Sequence, residues 1–82
     1  MANDTVVDLP FIFKIFRDSL ELDHDVQLTA ESAFEEVPGW DSLGHMRIIA
    51  QLEEELDIEF EIEEIVDQDT VQKILDLVTA KV

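Results

Sequence analysis

Three stretches of this chain repeat apolar residues at helical spacing. Leu9, Phe13, Phe16 and Leu20 mark the first, and Phe11, Ile12 and Ile15 widen its apolar face. Pro10 suits a first turn, so the spacing predicts a helix from about Leu9 to Leu20. Met46, Ile49, Leu52 and Leu56 mark the second, broadened by Leu43, Ile48 and Ala50, with Arg47, Glu53 and Glu54 on the opposite face. It is predicted from about Ser42 to Leu56, roughly 22 Å at about 1.5 Å per residue. Val71, Ile74, Leu75, Val78 and Val82 mark the last, where Asp69 followed by Gln72 resembles a capping box.

The segments between are less periodic. Residues 21–37 read as a long connection pinned by Leu28 and Phe34. Asp23, Asp25 and Gln27 suggest a calcium loop, but Leu28 stands at the required glycine and Phe34 at the required glutamate, which excludes it. Leu56, Ile58, Phe60 and Ile62 alternate like a strand. A lone strand has no partner in so short a chain, so a link into a short helix near Glu61–Val66 is expected. The whole reads as all-α: a small four-helix bundle of three longer helices and one short one, with a long loop between the first and second. Residues 1–82 are expected to form one domain, frayed over 1–8.

Charge changes this picture in one respect. Twenty-one acidic residues against five basic ones give a formal net charge of −16. Nine acids lie in residues 1–40 and twelve in 41–82, so the charge is no terminal tail. Such a field excludes nucleic acid and anionic membrane as partners and favours basic protein surfaces. The 46% hydrophobic content is enough for a core. No apolar run approaches a membrane span and no signal-peptide pattern opens the chain, so a soluble, cytoplasmic monomer is expected. There is no cysteine, so any thiol chemistry must be borrowed.

Candidate chemistry concentrates in Pro38-Gly39-Trp40-Asp41-Ser42-Leu43. Proline and glycine break the chain, and Asp41 is placed to cap the second helix through the N–H of Leu43 or Gly44. Ser42 then falls in the first turn, where unpaired N–H groups and the helix dipole favour an attached anion. As an enzyme, Ser42 would use His45 as base, but a small bundle supplies neither oxyanion site nor substrate pocket. Ser42 is read as an attachment point, with no catalytic residue in the chain. His24 and His45 are expected at the surface, with no metal site. Gly44 in a helix costs about 1 kcal/mol relative to alanine, which suggests a close approach beside the serine.

Trp40-Asp41-Ser42-Leu43, followed by Met46, Ile48, Ile49 and Leu52-Glu53-Glu54-Glu55-Leu56, resembles an acyl carrier protein. The resemblance runs from about Ala33 to Val78, including Asp69-Thr70-Val71, while the first third fits only as an apolar helix and loop. It implies that Ser42 receives 4′-phosphopantetheine from coenzyme A through a phosphopantetheinyl transferase, with Asp41 and Leu43 beside the attachment. The arm's thiol would carry acyl or aminoacyl groups as thioesters between enzymes. Partners implied are the transferase, a loading ligase or acyltransferase, and downstream synthase enzymes with basic docking surfaces. Trp40, Leu43, Met46, Arg47, Glu53 and Glu54 are the implied docking residues. Gly44 and Arg47 depart from housekeeping fatty-acid carriers, which usually have acids there, and point to a dedicated partner set, as in polyketide, nonribosomal-peptide or other specialised pathways, more than to a central fatty-acid role. An acidic helical interaction adaptor is the alternative from another class. Met46, Leu52, Leu56, Phe60 and Ile74 are the residues expected to part if an acyl chain is sheltered inside.

Overall fold

The computed structural model describes residues 6–82, and in it the chain is all-helical: α1 (Leu9–Leu20), α2 (Ser42–Leu56), α3 (Ile62–Ile65) and α4 (Val71–Lys81). Fraying predicted for residues 1–5 lies outside the described residues. Of the next residues, Val7 packs against the core, and the Asp8 carboxylate accepts the Phe11 N–H at 3.1 Å and caps α1.

Both α1 and α2 stop in the same way. Glu21 and Asp57 adopt left-handed backbone, with φ of 53° and 56°. The next residues then close the helix end, Leu22 N–H onto the Arg17 carbonyl and Ile58 N–H onto that of Glu53. Each non-glycine residue in that conformation costs about 1–2 kcal/mol, offset by satisfied carbonyls and by the partial burial of Leu22 and Ile58.

The long loop is stitched down at both ends. Arg17 donates to the carbonyls of Asp23 and Val26 at 3.3 and 2.9 Å. Farther on, Ala33 and Thr70 form an isolated antiparallel bridge. Phe34 N–H reaches the Asp69 carbonyl, while Val71 and Gln72 N–H groups reach Ser32 and Ala30. The loop thus satisfies donors in the first turn of α4. This pairing also displaces the predicted capping box. Phe34 takes the Asp69 carbonyl and Thr70, the bridged residue, is extended, so the cap falls at Thr70, whose hydroxyl accepts the Lys73 N–H at 3.2 Å. The Gln72 amide goes instead to Asp76.

α1 packs on α2 and α4 around Ile12, Phe16, Ile48, Leu52, Val71, Ile74 and Val78, each with 0% exposure. Across the α1–α2 seam the Ser19 hydroxyl meets the Gln51 amide at 2.7 Å. The buried stripe of α2 runs through Gly44, His45, Ile48, Ile49 and Leu52, which is rotated from the predicted one. Met46 therefore turns outward, and Leu56 is only partly buried. α3 is a single turn anchored by buried Ile65, and its N-cap residue Glu61 makes no side-chain capping bond.

Candidate attachment site

A tight turn sets the start of α2. Trp40 N–H returns to the Val37 carbonyl at 3.1 Å, with Pro38 and Gly39 between them and Gly39 at φ +82°. Proline then positive-φ glycine is the pattern of a type II turn. Asp41 follows in extended backbone, and its carboxylate accepts the Gly44 N–H at 2.8 Å. Its carbonyl accepts the His45 N–H at 2.7 Å. A Cβ on Gly44 would stand 2.0 Å from the Gly39 carbonyl oxygen and 2.8 Å from Leu20 Cδ2. The close approach suggested by Gly44 is that of the turn itself.

Ser42 is exposed in the first turn. Among the described residues the N–H groups of Ser42 and Leu43 have no hydrogen-bond acceptor, so two donors remain beside the serine hydroxyl. A cavity of about 340 Å³ opens next to it. Phe34, Met46, Ile62, Ile65 and Val66 give it apolar walls, and Ser42, His45, Gln68 and Asp69 complete the lining. Of the residues expected to part around an acyl chain, only Met46 borders this space. Leu52 and Ile74 are fully buried in the packed core.

Two residues lie elsewhere than the sequence suggested. Trp40, placed among the docking residues, is 2% exposed, with its ring edge-on to Phe16 at 4.7 Å between centroids. His45, expected at the surface, is 9% exposed and lies edge to edge with Trp40, the two ring planes 21° apart. The Trp40 indole N–H donates to His45 Nδ1 at 2.9 Å, and His45 Nε2 lies 2.7 Å from the Ile65 carbonyl. Period alone misses His45 because its polarity removes it from the apolar count. Its spacing of three, four and seven from Ile48, Ile49 and Leu52 would have placed it on the buried stripe.

The other expected residues do face outward. Leu43 is 63% and Met46 45% exposed. Arg47 is exposed and, among the described residues, has no ion-pair partner. Glu54 is exposed, while one Glu53 oxygen accepts the Phe60 N–H at 2.9 Å and holds the α2–α3 link. Asp69 sits below its ordinary carboxylate value because Lys73, 3.0 Å away, donates to it and adds its positive charge.

These features suit a 4′-phosphopantetheine phosphodiester: an accessible hydroxyl, two unpaired N–H donors, and an Asp41 carboxylate turned back onto Gly44. Comparison with known proteins agrees. The family described as "Phosphopantetheine attachment site" matches residues 11–78. The solution structure of a holo acyl carrier protein from Geobacter metallireducens superposes with a TM-score of 0.78 at 34% identity, covering 89% of this chain and 83% of that one. No curated protein matches. The chain belongs to the phosphopantetheine attachment site family. It is an acyl carrier protein bearing 4′-phosphopantetheine, a substrate of phosphopantetheinyl transferase and a partner of acyl-handling enzymes, not a catalyst. The match starts at residue 11, so the likeness includes α1, which from the sequence alone resembled the family only in outline.

Proposed function

We propose that Ser42 is the residue that carries the arm, with Asp41 and Leu43 as its immediate setting. The observation that supports this most is the exposed hydroxyl in a turn fixed by Gly39 and Gly44, beside free N–H donors. The arm supplies a thiol that the cysteine-free chain lacks, and it holds acyl groups as thioesters. The chain's own task is to present Ser42. Asp41 spends its carboxylate on the helix end, which keeps a rigid first turn under the hydroxyl.

Leu43 and Met46 form the apolar part of the docking surface, and Glu54 and the outer oxygen of Glu53 meet basic groups of partner enzymes. Arg47 adds one cation to that acidic face, which selects partners carrying a matching acid and supports a dedicated pathway. Trp40 contributes from within, through its packing. The partners are a phosphopantetheinyl transferase, a ligase or acyltransferase that loads an acyl or aminoacyl group, and synthase enzymes that consume it. The protein acts as a single-domain monomer in the cytoplasm. No described helix is long and apolar enough to cross a membrane.

The test is a mass measurement. Incubated with coenzyme A and a promiscuous transferase, the native chain gains one phosphopantetheine mass and Ser42→Ala gains none. An equal gain in Ser42→Ala, or none in the native chain, refutes the assignment.

A further inference from the structure

Four of the six large apolar residues most exposed among the described residues surround the serine. Leu43 and Met46 lie on α2, and Ile62 and Val66 (63% and 65% exposed) lie on and just after α3. Three of them border the cavity that Ser42 also lines. Any enzyme that reaches the Ser42 hydroxyl must cover them, and it can only do so if α3 holds a fixed place beside α2. Yet α3 is one turn long, has no side-chain cap, and is too short to be stable alone.

His45 is what fastens it. An indole N–H can only donate, so His45 Nδ1 must accept and the ring proton must sit on Nε2, where it donates to the Ile65 carbonyl. One neutral imidazole, one turn from Ser42, therefore joins the Trp40 indole before α2 to the backbone of α3. The other side-chain ties on this segment go to different residues: Lys81 of α4 to Glu64, the Gln68 amide locally to the Glu64 carbonyl, and Glu53 of α2 to the Phe60 N–H ahead of α3.

We propose that His45 is a positioning residue for arm transfer: its Nε2–H bond to Ile65 sets Ile62 and Val66 against Leu43 and Met46, completing the surface that the phosphopantetheinyl transferase covers. This rests on Ser42 as the attachment site. His45 does not touch the reacting atoms. Its loss weakens docking and leaves the chemical step alone.

The experiment compares native protein with His45→Leu, which keeps bulk without polar atoms, and His45→Gln, whose amide retains a donor and an acceptor. With a promiscuous transferase and coenzyme A, His45→Leu raises KM about five-fold at unchanged kcat, the size a single net hydrogen bond supports. His45→Gln recovers most of it. Amide exchange over residues 62–66 in the unmodified protein quickens in His45→Leu and returns in His45→Gln, a readout that does not depend on Ser42. Nitrogen NMR of the native ring shows the Nε2–H tautomer, which remains decisive if His45→Leu fails to fold. The proposal falls if the ring carries its proton on Nδ1, if exchange at 62–66 is unchanged, if kcat drops instead of KM rising, or if His45→Gln is as impaired as His45→Leu. Failure of the native chain to gain mass would instead refute the Ser42 assignment.

Discussion

The Gly39 carbonyl oxygen lies where a Cβ of residue 44 would be, 2.0 Å from that position. The type II turn and the first turn of α2 are thereby pressed together with no side chain between them. On helix propensity alone, Gly44→Ala gains about 1 kcal/mol. The contact with backbone reverses the sign, because a carbonyl cannot rotate away as a side-chain tip can. We expect Gly44→Ala to lose roughly 1–3 kcal/mol, read as a lower urea midpoint. A raised midpoint would show that the turn yields freely.

Asp41 separates stability from charge. Replacing it with alanine leaves the Gly44 N–H without its acceptor and should cost about 1 kcal/mol, or about 4–8 °C in thermal midpoint for a chain of this size. Asparagine retains a capping oxygen and should stay near the native midpoint. Any slowing of arm transfer in Asp41→Asn at native stability then measures the contribution of the carboxylate charge.

The Asp69–Lys73 pair gives a pH effect of definite sign. Lys73 holds the Asp69 carboxyl below its ordinary value of 3.8 in the folded chain. The folded state thus binds its proton less readily than the unfolded state. The pair's contribution is present above 3.8 and is lost as pH falls from there through the lowered folded value. Both side chains are more than half exposed, so the effect is small. Carboxyl-carbon NMR should find the Asp69 titration moving up toward 3.8 in Lys73→Met. An unmoved titration would count against the pair.

Self-repulsion from a net charge of −16 should make the fold salt-dependent. The described residues contain only three ion pairs, leaving most carboxylates without a cation. Added sodium chloride or magnesium should raise the thermal midpoint, with about 4–8 °C for each ~1 kcal/mol of repulsion screened. A flat midpoint across the titration would mean the charges are too dispersed to matter.

The helices were legible where local rules agree. Pro10 opens α1, Asp41 caps α2, and the apolar stripes end where the helices do. The short helix was legible by elimination, since alternation from Leu56 to Ile62 had no strand to pair with. The failures come from contacts between distant residues. Thr70 replaces Asp69 as cap because residues 30–34 pair with 69–72. Trp40 and His45 are drawn inward because each satisfies the other's polar atom, so a pair of residues buries what neither would alone. Likewise the rotation that exposes Met46 follows from packing on α1, not from the spacing within α2. The placement of Ser42, exposed at the start of α2, needed only local signals: turn, cap and helix start.

The loop that crosses from α1 to α2 also divides the molecule into parts of unequal permanence. Its backbone bonds to the start of α4 make residues 30–34 and 69–72 one cooperative unit, whose separation strands N–H groups on both sides. α3 has no such backbone tie and hangs on side chains from α2, α4 and Gln68. Loss of the His45 bond would therefore free the wall beside Ser42 while loop and last helix stay joined. The molecule is thus one durable frame with a single edge, beside Ser42, that side-chain bonds alone hold in place.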